Sequence, residues 1–235
     1  MKFYYDLHIH SILSPCGDYL MTPNNILNMA TLTNLNVIAI TDHNSTMQCP
    51  AFKMLSSSFD MLIIYGCELQ VEGGHLLVYF KKYEEINKFQ EYLNSIIKKE
   101  KYDIEYYGEQ TVMNEYDIET KIYPYYLVND LDTSLSEILE VLRGYHCIKI
   151  LAHLDKPTTS LLNIIKQENS DDIDGIELIN SENLEKIVKV CPFLKNKNVI
   201  YNSDAHNIAQ INDSDNYFEI DQLSIDNVFE VFKNE

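Results

Sequence analysis

The first ten residues place Asp6, His8 and His10 in alternation with Leu7 and Ile9, so in an extended strand the three polar side chains leave one face. Imidazole is a borderline ligand suited to zinc, manganese or iron, and two of them at i and i+2 can reach one ion where a strand ends at an open mouth. An isolated HxH is equally a pair of surface histidines on an edge strand. The rest of the chain separates the two readings. Asp42 and His43 end the apolar run at 37–40, Glu68 follows the run at 61–65, and His75 opens the run at 76–80. His153 ends the run at 148–152, and Asp204 and His206 follow the run at 199–202. Six of the seven histidines therefore fall at strand ends, a coincidence that unrelated core or surface histidines would have to repeat six times. The seventh, His146, lies beside Cys147 at a helix end and reads as structural.

The elements that must position these residues follow from periodicity and capping. Thr22-Pro23 is an N-cap followed by proline at the first helical position, and Ile26, Leu27, Met29, Ala30 and Leu32 supply the expected buried side. A charged helix is expected over 84–100, and Ser134 with Glu137 forms a capping box before a helix of about ten residues. Further helices are expected at 160–168, through Leu184, Ile187 and Val188, and at 224–233, with a strand at 173–179 and a last one near 217–220. Residues 101–130 are rich in Tyr, Asp and Glu with weak periodicity, and read as an irregular lid inserted in a single domain spanning 1–235. Strands alternating with helices predict an α/β fold with a mostly parallel sheet, closed into a barrel. In a barrel the C-terminal ends of the strands form one rim, which gathers the residues named above.

Composition narrows the functions. There are 18 Lys plus Arg against 36 Asp plus Glu, a net charge of −18, and Arg143 is the sole arginine. The chain lacks the basic footprint of a duplex-binding protein, so no duplex nucleic acid is expected as a partner, whereas converging carboxylates suit divalent cations. Five cysteines without a CxxC pattern predict neither a disulfide framework nor a cysteine-rich zinc knot, and place the protein in a reducing cytoplasm. Lys2 is followed by no apolar targeting segment, and no run approaches about 20 apolar residues, so neither a signal peptide nor a membrane partner is expected.

In order, Asp6-Leu7-His8-Ile9-His10-Ser11, Thr41-Asp42-His43-Asn44, Cys67-Glu68-Leu69 with His75, Ala152-His153 and Asn202-Ser203-Asp204-Ala205-His206 resemble the PHP family, the polymerase and histidinol phosphatase domain. The resemblance covers nearly the whole chain. It implies a distorted seven-stranded β/α barrel, similar to a TIM barrel, with two or three divalent ions of Zn, Mn or Fe. It implies that His8, His10, Glu68 and Asp204 hold one ion, that Glu68 bridges to a second held with His75 and His153, and that His43, His206 and an acid from the first loop hold a third. This chain departs from the family pattern HxHSxxSDG at that acid, because Ser14 is followed by Pro15-Cys16-Gly17 before Asp18. Asp18 precedes Thr22-Pro23 by the interval common in the family and is the expected ligand. Cys16 is its competitor, because a thiolate is a strong zinc ligand.

Two metals about 3.5–4 Å apart lower the pKa of a bridging water, hold a phosphate oxygen and stabilise both oxygens of an in-line displacement. The reading is thus a metal-dependent phosphoesterase that hydrolyses a small phosphorylated substrate, such as a nucleotide or oligonucleotide end, through a metal-bridged hydroxide. Glu68, Asp204 and His206 are its expected catalytic residues. Asp6 and Asp42 either orient imidazoles or cap strand ends, and Lys156 is either a phosphate contact or a solvated loop lysine. Two alternatives stand beside it, an amidohydrolase-like C–N hydrolase, which also opens with HxH, and a non-catalytic PHP module. Glu68 in place of a bridging lysine weighs against the first, and the nearly full ligand set against the second. The sequence is silent on oligomeric state.

Overall fold

A computed structural model describes residues 1–211 and 215–233; the remainder of the expected 1–235 span lies outside the described residues. Among the described residues ten strands and seven α-helices follow one another. They run β1 (Lys2–Ile9), α1 (Pro23–Leu32), β2 (Val37–Ile40), α2 (Cys49–Leu55), β3 (Leu62–Val71), β4 (Gly74–Phe80), α3 (Glu84–Ile96), α4 (Ile104–Tyr107), β5 (Thr111–Met113) and β6 (Glu119–Ile122). After these come α5 (Leu135–Leu142), β7 (Cys147–Leu151), β8 (Gly175–Glu177), α6 (Leu184–Val190), β9 (Asn198–Ile200), β10 (Tyr217–Glu219) and α7 (Ile225–Lys233).

The fold is mixed α/β around a curled eight-stranded sheet of order β10-β1-β2-β3-β4-β7-β8-β9, with β5 and β6 as a separate hairpin. Strands β1, β2 and β3 are parallel, as are β7, β8 and β9, and β4 runs antiparallel between the two sets. The reversal into β4 is a tight turn at Glu72-Gly73, both with positive φ (51° and 78°), the conformation a two-residue hairpin requires. Because β4 runs backwards, its first residues, including His75, stand at the same end of the sheet as the last residues of its neighbours. Past β9 the chain returns to β1. Ala205 N–H donates to the His8 carbonyl at 3.1 Å and His10 N–H to the Ala205 carbonyl at 2.9 Å.

A bulge in β1 aims the first two histidines. Asp6 pairs with Ile38 but Ile9 with Ile40, so β1 carries one extra residue against β2. An extra residue inverts the alternation beyond it. Tyr5 and Leu7 therefore pack with Val37, Ala39, Leu77 and Tyr79 inside the curl of the sheet, and Ile9 packs on the outer, helix-covered side. His8 and His10 face inward after the bulge, whereas Asp6 does not share their face, which corrects the simple alternation read from the sequence. At the other end of the interior, α7 supplies Val228, Phe229 and Phe232. The apolar interior is thus stoppered at the N-terminal ends of the strands, and the polar residues hold the opposite end.

The local expectations hold where a cap or a fully apolar run defines them. Thr22 accepts the Asn25 N–H ahead of Pro23, and Ser134 with Glu137 forms the capping box of α5. Leu32 is a correction, being 75% exposed beyond the last buried turn of α1. A second correction is the helix expected at 160–168, which is two 3₁₀ segments, Leu161–Asn163 and Gln167–Asp172. Leu161 and Ile165 bury one turn's worth of apolar surface, Ser160 caps it, and nothing beyond continues the stripe. Within 101–130 the chain forms α4 and the β5–β6 hairpin. Gln48 fastens that hairpin to the body by accepting from Met113 N–H and donating to the Met113 carbonyl.

Candidate metal centre

Glu68 is the hub of the polar end. It is 1% exposed, and imidazole nitrogens of five histidines converge on its two oxygens. His75 Nδ1, His153 Nε2 and His8 Nε2 stand 2.8, 2.9 and 3.3 Å from Oε1. His43 Nδ1 and His10 Nε2 stand 3.1 and 3.3 Å from Oε2. Asp204 Oδ1 is 3.3 Å from both His8 Nε2 and His10 Nε2. His206 closes the ring by stacking on His10, with 4.2 Å between centroids.

Hydrogen bonds on the outside set which nitrogen of His8 and of His10 faces the cluster. His8 Nδ1 lies 3.1 Å from both oxygens of Glu177, a carboxylate that only accepts. In the neutral imidazole the proton is therefore on Nδ1, which leaves Nε2 as the nitrogen that can ligate. His10 Nδ1 lies 3.1 Å from Ser14 Oγ, whose own proton goes to Asp42 at 2.7 Å. The Ser14 oxygen must then accept from His10, which leaves the His10 Nε2 lone pair inward as well. These two lone pairs face each other at 3.1 Å, an arrangement that is repulsive without a cation between them. His43 Nδ1, His75 Nε2, His153 Nδ1, Glu68 Oε2 and Asp204 Oδ1 are likewise buried without a hydrogen-bond partner, which a native interior seldom tolerates.

The residues present fit divalent ions. Ligand atoms within 4.8 Å of one another form three groups, His8/His10/Glu68/Asp204, His43/Glu68/His75 and His10/His43/His206, and imidazole with carboxylate is a donor set for zinc, manganese or iron. The electrostatics agree. Although burial opposes ionisation, His8, His75 and His43 hold the Glu68 carboxyl well below its usual range, and His8 and His10 do the same for Asp204. Against the same desolvation, Glu177, Asp204 and Glu68 raise His8, so the cluster attracts positive charge. Burial and the nearby His10 push His206 down to about 4, which keeps its imidazole neutral and able to ligate.

Two of the site's residues are held in left-handed backbone, His153 with φ of 26° and Asp204 with φ of 52°. Such strain in non-glycine residues persists where surrounding contacts over-determine it. Asp6 supplies those contacts for Asp204, since its carboxylate accepts the Ser203 hydroxyl and N–H. Asp42 acts through Ser14 and also accepts from Ser11.

Every expected site residue but one is in this assembly. Asp18 turns away, its carboxylate accepting the Leu20 N–H while its own N–H donates to the His206 carbonyl at 2.7 Å. Cys16, by contrast, lines a cleft of about 420 Å³ together with His43, Glu68, His75, His153 and His206. His146 is remote and pairs with Glu85 at 2.7 Å. Lys156 pairs with Asp204 Oδ2 at 2.6 Å on the wall of the cleft.

Sequence reading passed over Glu177. Buried at 2% exposure, it holds His8 Nδ1, accepts the His153 N–H at 2.8 Å and the Asn202 side-chain amide at 2.6 Å, and so joins three strand ends. The signal was a lone acid at the C-terminal end of an apolar strand, the same signal that marked Glu68. Glu177→Gln is expected to lower metal affinity and turnover by about 10- to 100-fold, as outer hydrogen-bond partners of ligating histidines do. Metal titration of the variant, with circular dichroism as the folding control, checks this, and unchanged affinity would remove the orienting role.

An inward-facing histidine and carboxylate cluster at the C-terminal rim of a curled α/β sheet is able to bind metal ions. The sequence profile of the PHP domain matches residues 6–190, and the chain belongs to the PHP domain family. It is 32% identical over 83 residues to the uncharacterized protein MJ1587 of Methanocaldococcus jannaschii, a match covering 32% of this chain and 48% of that protein. Its fold resembles endonuclease Q of Pyrococcus furiosus, with a TM-score of 0.69 and 21% identity over 99% of this chain and 56% of that one. A protein of Bifidobacterium adolescentis described as a candidate metal-dependent phosphoesterase shares the fold with a TM-score of 0.64 and 18% identity, covering 98% of this chain and 96% of that one. The chain thus spans about half the length of the curated relative and of endonuclease Q. The family and these neighbours point to a metal-dependent hydrolase.

One expectation is overturned. Endonuclease Q has been solved with a 27-mer duplex carrying an abasic lesion at its active site, and that structure shares this fold with a TM-score of 0.63 and 20% identity over 99% of this chain and 57% of that one. Net charge describes the whole surface, whereas a duplex contacts one face and the ions of a metal centre. The balance of −18 does not exclude duplex nucleic acid. Among the described residues no helix is long and apolar enough to cross a membrane.

Proposed function

We propose that the protein is a metal-dependent phosphoesterase acting on a phosphorylated small molecule or on a nucleotide or oligonucleotide end. The observation that carries this reading is the convergence of five imidazoles and Asp204 on Glu68. Divalent ions bound there would supply a nucleophilic water at neutral pH and a clamp on the phosphate oxygens. Glu68, with one oxygen toward His75 and His153 and the other toward His10 and His43, would hold them. His8 and His10 are held ready by Glu177 and by Ser14 with Asp42, so little reorganisation accompanies binding. Asp204 and His206 complete the shells at the open side, and Cys16 is better placed than Asp18 to finish the site of His10, His43 and His206. Lys156 is poised to exchange Asp204 for a substrate phosphate oxygen. Duplex nucleic acid belongs among the substrates to be tested, on the strength of the endonuclease Q likeness.

We read the sheet as the seven-stranded PHP barrel, closed by the bridge between Ile9 and Ala205 with β10 added at the edge, in one domain and in the cytoplasm. Phosphate release from phosphomonoesters and nucleic-acid ends, and alcohol release from phosphodiesters, assayed with manganese, zinc or iron, test the function, with cyclic amides as the competing substrate class. Release from at least one phosphoester is expected, with a higher KM in Lys156→Ala. Amide hydrolysis without phosphate release would reverse the reading.

A further inference from the structure

A row of tyrosines leads away from the metal cleft, and we propose that it is a stacking platform for a nucleobase of the phosphorylated strand end whose phosphate lies at the cluster. The proposal rests on the phosphoesterase reading and assigns it a substrate class, a nucleotide or single-stranded oligonucleotide end, with Tyr106 and Tyr107 as specificity-determining residues.

The row is continuous. Tyr102 stacks on Tyr126 with 5.4 Å between ring centroids, Tyr126 meets Tyr107 at 4.8 Å, and Tyr107 meets Tyr106 edge to face at 4.7 Å. Its inner end adjoins the centre. Val128, two residues beyond Tyr126, lines the cleft with Cys16, His43 and Glu68. Gly108, which ends α4 with φ of 84°, approaches the same first loop, for a Cβ there would lie 3.8 Å from the Pro15 carbonyl. The outer end is open, with Tyr106 79% and Tyr107 43% exposed.

Large exposed rings beside the first loop, one of whose residues lines the cleft, offer a flat face to a planar occupant. A phosphate backbone alone is a poor one. The chain carries −18 overall, and Asp103, which caps α4 by accepting from Glu105 and Tyr106 N–H groups, and Glu105 add negative charge beside the row. Lys98, Lys99 and Lys101 precede the row, but Glu100, Asp103, Glu105 and Glu109 outnumber them, so counterion release supplies little net affinity there. A base is neutral, and stacking on an aromatic side chain is sequence-tolerant and insensitive to the sign of nearby charge. The division of labour is then a phosphate at the metal-ligating end and its base, or the next one, on the tyrosines.

The test uses a short 5′-phosphorylated oligothymidylate labelled at its 3′ end, with anisotropy recorded with manganese and with chelator. Tyr106→Ala and Tyr107→Ala are each expected to weaken binding about fivefold or more, the stacking of one base, while Tyr106→Phe and Tyr107→Phe bind as the parent does. Hydrolysis of a base-free phosphomonoester should be unchanged in all four, since neither tyrosine is among the ligand groups. Equal affinity in the alanine variants, or no binding by the parent protein, overturns the platform. If binding depends on the tyrosines but no phosphoester is cleaved, the phosphoesterase reading fails and the platform stands. If phosphoesters are cleaved without any dependence on the tyrosines, the platform alone fails.

Discussion

Glu68→Gln should lower metal-dependent turnover by about three orders of magnitude and reduce the bound metal, with the fold retained. The substitution keeps the size of a fully buried side chain, so no cavity opens, and it changes only the charge and one oxygen. That oxygen matters because both carboxylate oxygens face imidazoles, Oε1 toward His75 and His153 and Oε2 toward His43 and His10. An amide can offer one acceptor, so it cannot bridge two ions. Loss of Lewis-acid stabilisation worth several kcal/mol corresponds to a factor of about 10³. Steady-state kinetics with metal analysis and far-ultraviolet circular dichroism check the prediction. Turnover within tenfold of the parent, with full metal content, would show that Glu68 is a structural acid.

Chelation should cost the protein stability as well as activity. The cluster buries Glu68 and Glu177, holds the half-buried Asp204 beside them among six imidazoles, and leaves five of its polar atoms without a hydrogen-bond partner. A ligand present at about 1,000 times its Kd stabilises the folded state by about 4 kcal/mol, and in a domain of this length each kcal/mol moves Tm by roughly 2–4 °C. Removal of the ions is therefore expected to lower Tm by roughly 8–16 °C, reversibly on adding manganese or zinc. Differential scanning fluorimetry with and without chelator reads the shift. The same Tm in both conditions would mean that the folded protein holds no ion at this site.

Much of the site was legible because its chemistry repeats at strand ends. His8, His10, His43, Glu68, His75, His153, Asp204 and His206 each follow or open an apolar run. Capped helices were legible for a similar reason, since Thr22-Pro23 and Ser134 with Glu137 announce themselves locally. What eluded the sequence depends on long-range partners. The bulge in β1 that separates Asp6 from the histidines exists only in the pairing with β2, and no residue in β1 encodes it alone. The role of Ser14 appears only when Asp42 and His10 are brought together, and that of Glu177 when β8 meets β1. In the first loop, spacing from Thr22 places Asp18 but not the direction of its carboxylate, which accepts the Leu20 N–H. Net charge misled, as a sum over a surface of which a substrate sees only a part.

The central claim is that the imidazoles gathered on Glu68 hold metal ions that hydrolyse phosphoesters. The most direct test adds manganese stepwise to chelator-stripped protein and records bound metal and phosphate release in the same samples. Turnover should be absent from stripped protein and should rise as the second equivalent binds, with Glu68→Gln failing to follow. Full phosphate release from the stripped protein, or metal binding that saturates with no release from any phosphoester, would contradict it.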